Sequence, residues 1–116
     1  MDYEVLKNHN IDVDAAVARF AGKSELFDKY ILLFKTTKEF TELTEAVKAN
    51  DVKSMEYSVH SLKGLAGNLG VNSVYNASCL MLGEIRKGNI EKRKELYQYV
   101  KEEFELACQA IDLANK

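Results

Sequence analysis

Val59-His60-Ser61-Leu62-Lys63-Gly64-Leu65-Ala66-Gly67-Asn68-Leu69-Gly70 is the stretch on which the reading of this chain turns. On a helix each residue advances by about 100°. Met55, Val59, Leu62, Leu65, Ala66 and Leu69 then fall on one apolar stripe, which predicts a helix with that stripe turned to a core. Asp51 is placed to cap its start, and Gly70 to stop it. His60 lies about 160° from the centre of the stripe, so it is expected at the surface. Gly64, one turn on, and Gly67, two turns on, share that outward face. Lys63 stands beside His60 at i+3.

The same reading extends in both directions. Toward the N-terminus, Asp12 to Phe20 has Val13, Val17 and Phe20 at helical spacing, with Asp12 as cap and Gly22 as break. Ser24 is read as the cap of a helix through Phe27, Tyr30, Ile31 and Phe34, with Leu26 and Leu33 as a flank that holds the first helix. The periodicity continues through Phe40, Leu43 and Val47, with a bend at Thr36-Thr37, and Asn50 ends it. Toward the C-terminus, a helix is predicted from Asn72 to Lys87, with Val74, Ala77, Met81 and Ile85 inward. Gly88-Asn89 is a turn signal. A last helix runs from Ile90 to Leu113, with Tyr97, Val100, Phe104, Ala107 and Ile111 inward. There is no proline, and the connections are short, so successive helices are expected to be antiparallel. The expected fold is all-α: an antiparallel four-helix bundle with a short additional N-terminal helix, spanning residues 1–116 as a single domain.

Composition bounds the function. The chain has 47% hydrophobic and 29% charged residues, as in ordinary soluble domains. A net charge of −2 argues against a whole-domain nucleic-acid footprint. No apolar run approaches the ~20 residues of a membrane span, and the start, Met1-Asp2-Tyr3-Glu4, is acidic. A cytoplasmic protein is expected, with Cys79 and Cys108 as free thiols in or near the core. With His60 and His9 far apart and no clustered cysteines, neither metal nor cofactor is expected. His9 reads as an ordinary exposed side chain. Arg86, Lys87, Lys92, Arg93 and Lys94 read as a solvated helix junction.

Glycine costs about 1 kcal/mol relative to alanine in a helix interior. Gly64 and Gly67 are predicted to lie away from the core stripe, so close packing does not account for them. They would leave the surface beside His60 bare for the approach of a bulky partner. Lys63 would stabilise a doubly charged phosphoryl group arriving there.

His60-Ser61-Leu62-Lys63-Gly64, followed by Gly67 and Gly70, resembles the signature of histidine-containing phosphotransfer (HPt) domains. The resemblance extends over nearly the whole chain. Ile11 to Phe34, Asn50-Asp51 and Arg86-Lys87-Gly88-Asn89 are similar to the family's N-terminal region and turns. It implies His60 as phosphoacceptor, supported by Lys63 and Gly64. It also implies receiver domains of response regulators or hybrid kinases as partners, with magnesium belonging to the receiver. The domain would be a monomeric, stoichiometric carrier and not an enzyme. One position departs from the pattern: where the family often has Glu or Gln level with the histidine, this chain has Leu82. The alternatives are a receiver-docking module that accepts no phosphate, the substrate domain of a chemotaxis-type kinase, and a structural bundle.

Overall fold

The computed structural model describes residues 1–116. The chain is all-helical: α1 Tyr3–Asn8, α2 Val13–Arg19, α3 Ser24–Phe34, α4 Lys38–Lys48, α5 Val52–Asn68, α6 Asn72–Arg86 and α7 Arg93–Ala114, with a 3₁₀ turn Ile90–Lys92 before α7. α5 packs between α4 and α6, α6 against α7, and α7 returns to α4. One core fills the space between them. It is built from Met55, Val59, Leu62, Ala66 and Leu69 of α5 with Val74, Ala77, Met81 and Ile85 of α6 and Val100, Phe104 and Ile111 of α7. Leu65 is only partly buried at its edge.

Two short helices, not one, precede α3. α1 was not visible in the pattern because its six residues bury only Leu6, too few for a period to emerge. Asp2 caps it, accepting from the backbone N–H groups of Glu4 and Val5. α2 begins as expected, with Asp12 accepting from Ala15 N–H at 3.1 Å. Its end is held by the stacking of Phe20 on Tyr30, whose rings lie 5.6 Å apart and almost parallel. Leu33, expected to help in that role, is 51% exposed instead.

Ser24 is the first residue of α3, not its cap; Lys23 occupies the cap and offers no side-chain bond. At Thr36-Thr37 the chain breaks fully, because Thr37 adopts an extended conformation before α4 starts. α3 and α4 still share one apolar layer. Phe34 and Phe40 pack on Phe104, with centroids at 5.3 and 4.2 Å. Beside them the Tyr97 and Thr44 hydroxyls bond at 2.6 Å.

α5 starts and stops where its sequence places the signals. Asp51 accepts from Ser54 N–H at 3.2 Å and from its hydroxyl at 2.8 Å, which holds the Asp51 carboxyl below its ordinary value. At the other end Gly70 takes a left-handed conformation (φ +73°). Val71 N–H then reaches Ala66 C=O at 2.9 Å, and Gly70 N–H reaches Gly67 C=O at 3.3 Å, a Schellman closure of the helix. This corner is clasped by the N-terminal segment. Asp12 N–H bonds Gly70 C=O at 2.8 Å, Asn72 N–H bonds Asn10 C=O at 3.3 Å, and Ile11 forms an isolated bridge with Val71.

α6 buries Val74, Ala77, Met81 and Ile85 as expected, together with Ser78 and Leu82. α7 starts at Arg93, after the 3₁₀ turn. Of its expected inward residues Val100, Phe104, Ala107 and Ile111 are buried, and Tyr97 is partly so.

Three substitutions test this packing. A Cβ at Gly70 would lie 2.5 Å from the Asp12 carbonyl oxygen, whereas one at Gly22, also left-handed at φ +78°, meets nothing. Gly22→Ala should cost about 1–2 kcal/mol, the conformational penalty alone. Gly70→Ala should cost clearly more in urea melts, and equal losses would show that the clasp yields freely. The Ser78 hydroxyl is fully buried without a partner. Ser78→Ala should therefore raise stability by about 1 kcal/mol in the same assay, and a comparable loss would show that the hydroxyl is bonded.

Candidate functional site

His60 sits in the middle of α5 and is exposed. Its ring forms no hydrogen bond or ion pair within the chain. The structure thus places it on the outward face that the helical period predicts, opposite the buried Val59 and Leu62. Around it is a shallow depression formed with Lys53, Glu56, Tyr57 and Arg86. Glu56 and Arg86 pair across the α5–α6 seam at 3.4 Å. Tyr57, 71% exposed, stands beside them as the most open of the large apolar side chains.

Three of these neighbours follow from the sequence once the helix is accepted. Glu56, Tyr57 and Lys53 lie one and two turns before His60. Arg86 is different: its nearness depends on how α6 lies against α5, which the one-helix period does not contain. Arg86 was expected at a solvated junction, and it is exposed there, but Glu56 holds it next to His60.

The register between α5 and α6 also locates Leu82. Gly67 faces Tyr75 and Glu56 faces Arg86, so each step along α5 matches one step back along α6. The position level with His60 is then Leu82, which is 3% exposed and belongs to the core. No polar side chain from that level reaches the ring. Glu84, close in sequence, is engaged elsewhere: its carboxylate accepts from the Asn89 amide, which lowers its pKa.

The two glycines behave differently. A Cβ on Gly64 would meet nothing within 4 Å. A Cβ on Gly67 would lie 3.1 and 3.2 Å from carbons of the Tyr75 ring. Gly67 is therefore the seat of an α6 aromatic, and its surface is not bare as expected. The helical period turns it outward, but the Tyr75 ring from the next helix packs over it. Lys63, half-buried, makes no ion pair. It lines a second depression with Arg19, Gly64, Gly67, Asn68, Asn72 and Tyr75, separate from that of His60.

His9 lies far off in α1's cap, exposed, with Nδ1 2.7 Å from Val5 C=O. Cys79 and Cys108 are free and half-buried. Burial pushes the Cys108 thiol up to about 11. No helix is long and apolar enough to cross a membrane. Comparison with family models, with curated proteins and with solved structures found no match to this chain.

The contrast between the glycines can be measured. Gly64→Ala should stabilise the protein by about 1 kcal/mol, since helix propensity improves and nothing is displaced. Gly67→Ala should gain less or lose, because the Tyr75 ring must move. Denaturant melts of the two variants decide this; a Gly64→Ala variant less stable than the parent would mean that Gly64 is packed.

Proposed function

We propose that this chain is a phosphorelay intermediate in two-component signal transduction. In this reading His60 accepts a phosphoryl group from the aspartyl phosphate of a receiver domain and passes it to another receiver. α4 to α7 are read as the antiparallel four-helix bundle of a phosphotransfer domain, with α1, α2 and α3 as N-terminal additions. The carrier is stoichiometric, cytoplasmic and monomeric. The observation that carries the proposal is an exposed histidine, held by no internal partner, one turn from a glycine with open space above it.

The chemistry follows from the imidazole. A neutral imidazole keeps a lone pair on one ring nitrogen. With the proton on Nδ1, Nε2 attacks the phosphorus in line with the aspartyl oxygen. An N–P bond forms as the P–O bond breaks, and the electron pair leaves with the receiver's carboxylate. The ring keeps its Nδ1 proton, and the reverse path delivers the group to a second receiver. Lys63 and Lys53 provide positive charge for the incoming phosphoryl group, while the charge of Arg86 is offset by Glu56. Gly64 leaves room for the receiver to approach.

Buried Leu82 favours a second reading. Without a polar group level with the ring, the domain would dock receivers without accepting phosphate. Transfer of radiolabel from a phosphorylated receiver separates the two.

His60→Gln should abolish acid-labile, base-stable labelling while leaving the melting curve within about 0.5 kcal/mol of the parent, as for most surface substitutions. Labelling at the parental rate would move the acceptor elsewhere. Lys63→Ala should slow transfer about tenfold or more, which is 1.4 kcal/mol in the barrier, with a smaller effect on receiver binding. A rate equal to the parent's would remove Lys63 from the mechanism.

A further inference from the structure

We propose that the depression between α2, α5 and α6 is a binding site for a phosphate-class dianion, distinct from the phosphoryl position on His60. It is lined by Arg19 and Lys63, with Asn68, Asn72 and Tyr75 as further polar groups. The other depressions on the surface each hold at least one carboxylate: Glu42, Glu45 and Asp51 in one, Glu56 in another, Asp12 and Asp14 in the last. This one holds none. Its two cations also make no ion pair with any carboxylate elsewhere in the chain.

Arg19 is already positioned. One guanidinium nitrogen donates to Gly67 C=O at 2.8 Å and to Asn68 C=O at 3.2 Å. A guanidinium has five N–H donors, so the groups on its other nitrogens remain for a ligand while these two bonds hold its plane. Capping the end of α5 explains why an arginine is there but does not neutralise it. A helix C-terminus carries only about half a unit of negative charge. The N-terminus of α6 opens beside it with about half a unit of the opposite sign, so the two helix ends offset each other. Two whole positive charges remain. A carboxylate would leave one of them unmatched, whereas a phosphate dianion matches both.

The site has a consequence for His60, which rests on the phosphorelay reading. An occupant would engage Lys63 and withdraw its charge from the group arriving at His60. Free phosphate or a phosphate monoester would then slow acceptance. The binding itself needs neither a receiver nor phosphorylation, so the two ideas fail independently.

The test is a titration of the unphosphorylated full chain, followed by amide chemical shifts at pH 7.5 and constant ionic strength. The probes are inorganic phosphate, phosphoserine, acetate and chloride. Saturable shifts at Gly64, Gly67, Asn72 and Ser73 are expected with inorganic phosphate, at least about tenfold tighter than with acetate. Comparable affinity for phosphoserine would assign the site to monoesters as well; its absence would restrict the site to the free ion. Arg19→Gln and Lys63→Gln should each weaken phosphate binding at least about tenfold. Lys63→Gln touches no helix cap, so it remains informative if Arg19→Gln disturbs the end of α5. Phosphate shifts no larger than those of chloride, equal affinity for acetate, or undiminished binding in Lys63→Gln would overturn the site.

Discussion

The carbonyl of Asp12 occupies the space where a side chain at position 70 would begin. That single approach of backbone to backbone organises much of the molecule. It requires glycine at 70, which closes α5 in a left-handed turn and sends α6 back along it. It also ties the N-terminal segment to the corner, through Asn10, Ile11 and Asp12, so that α2 lies where Arg19 can reach the last carbonyls of α5. The same turn sets the register between α5 and α6. From that register come the partners Gly67 with Tyr75 and Glu56 with Arg86, and the core place of Leu82 opposite His60.

How much of this was legible in the sequence depends on whether the information was local. Asp51, Gly70 and Gly88 mark helix ends by their own chemistry, and the helices they bound are found within a residue or two. The α5 stripe and the outward direction of His60 follow from a period that one helix contains in full. Features set by contact between helices were not legible. The Tyr75 ring over Gly67, the reach of Arg86 and the division of Lys63 from His60 into two depressions all belong to this class. α1 was missed for a different reason. Six residues with one buried leucine carry no period, and the helix exists because its cap and α7 hold it. The break at Thr36-Thr37 was masked because Phe34 and Phe40 serve one aromatic cluster on both sides of it.

The outward face of α5 combines opposite tendencies. Glu56 and Arg86 neutralise each other across the seam, which is worth little in energy for exposed side chains but fixes where the charge lies. Lys63 has no such counterpart. Its ammonium is therefore free to answer whatever anion comes close, from the His60 side or from the Arg19 side. Lys63 lines the Arg19 depression and stands one turn along α5 from His60, so any coupling between the two would pass through its charge.

The surface around His60 is the outside of a helix, and its depression is shallow and open. So shallow a patch cannot strip water from a reacting group or surround it with fixed dipoles, which is how clefts strengthen electrostatic interactions. Any reaction at this ring must therefore borrow its enclosure from a concave partner. The open space over Gly64 then acquires a further meaning: it is where the rim of that enclosure can close down on the helix and exclude solvent. On the phosphorelay proposal, selectivity among partners would reside in how well their hollows fit this open face.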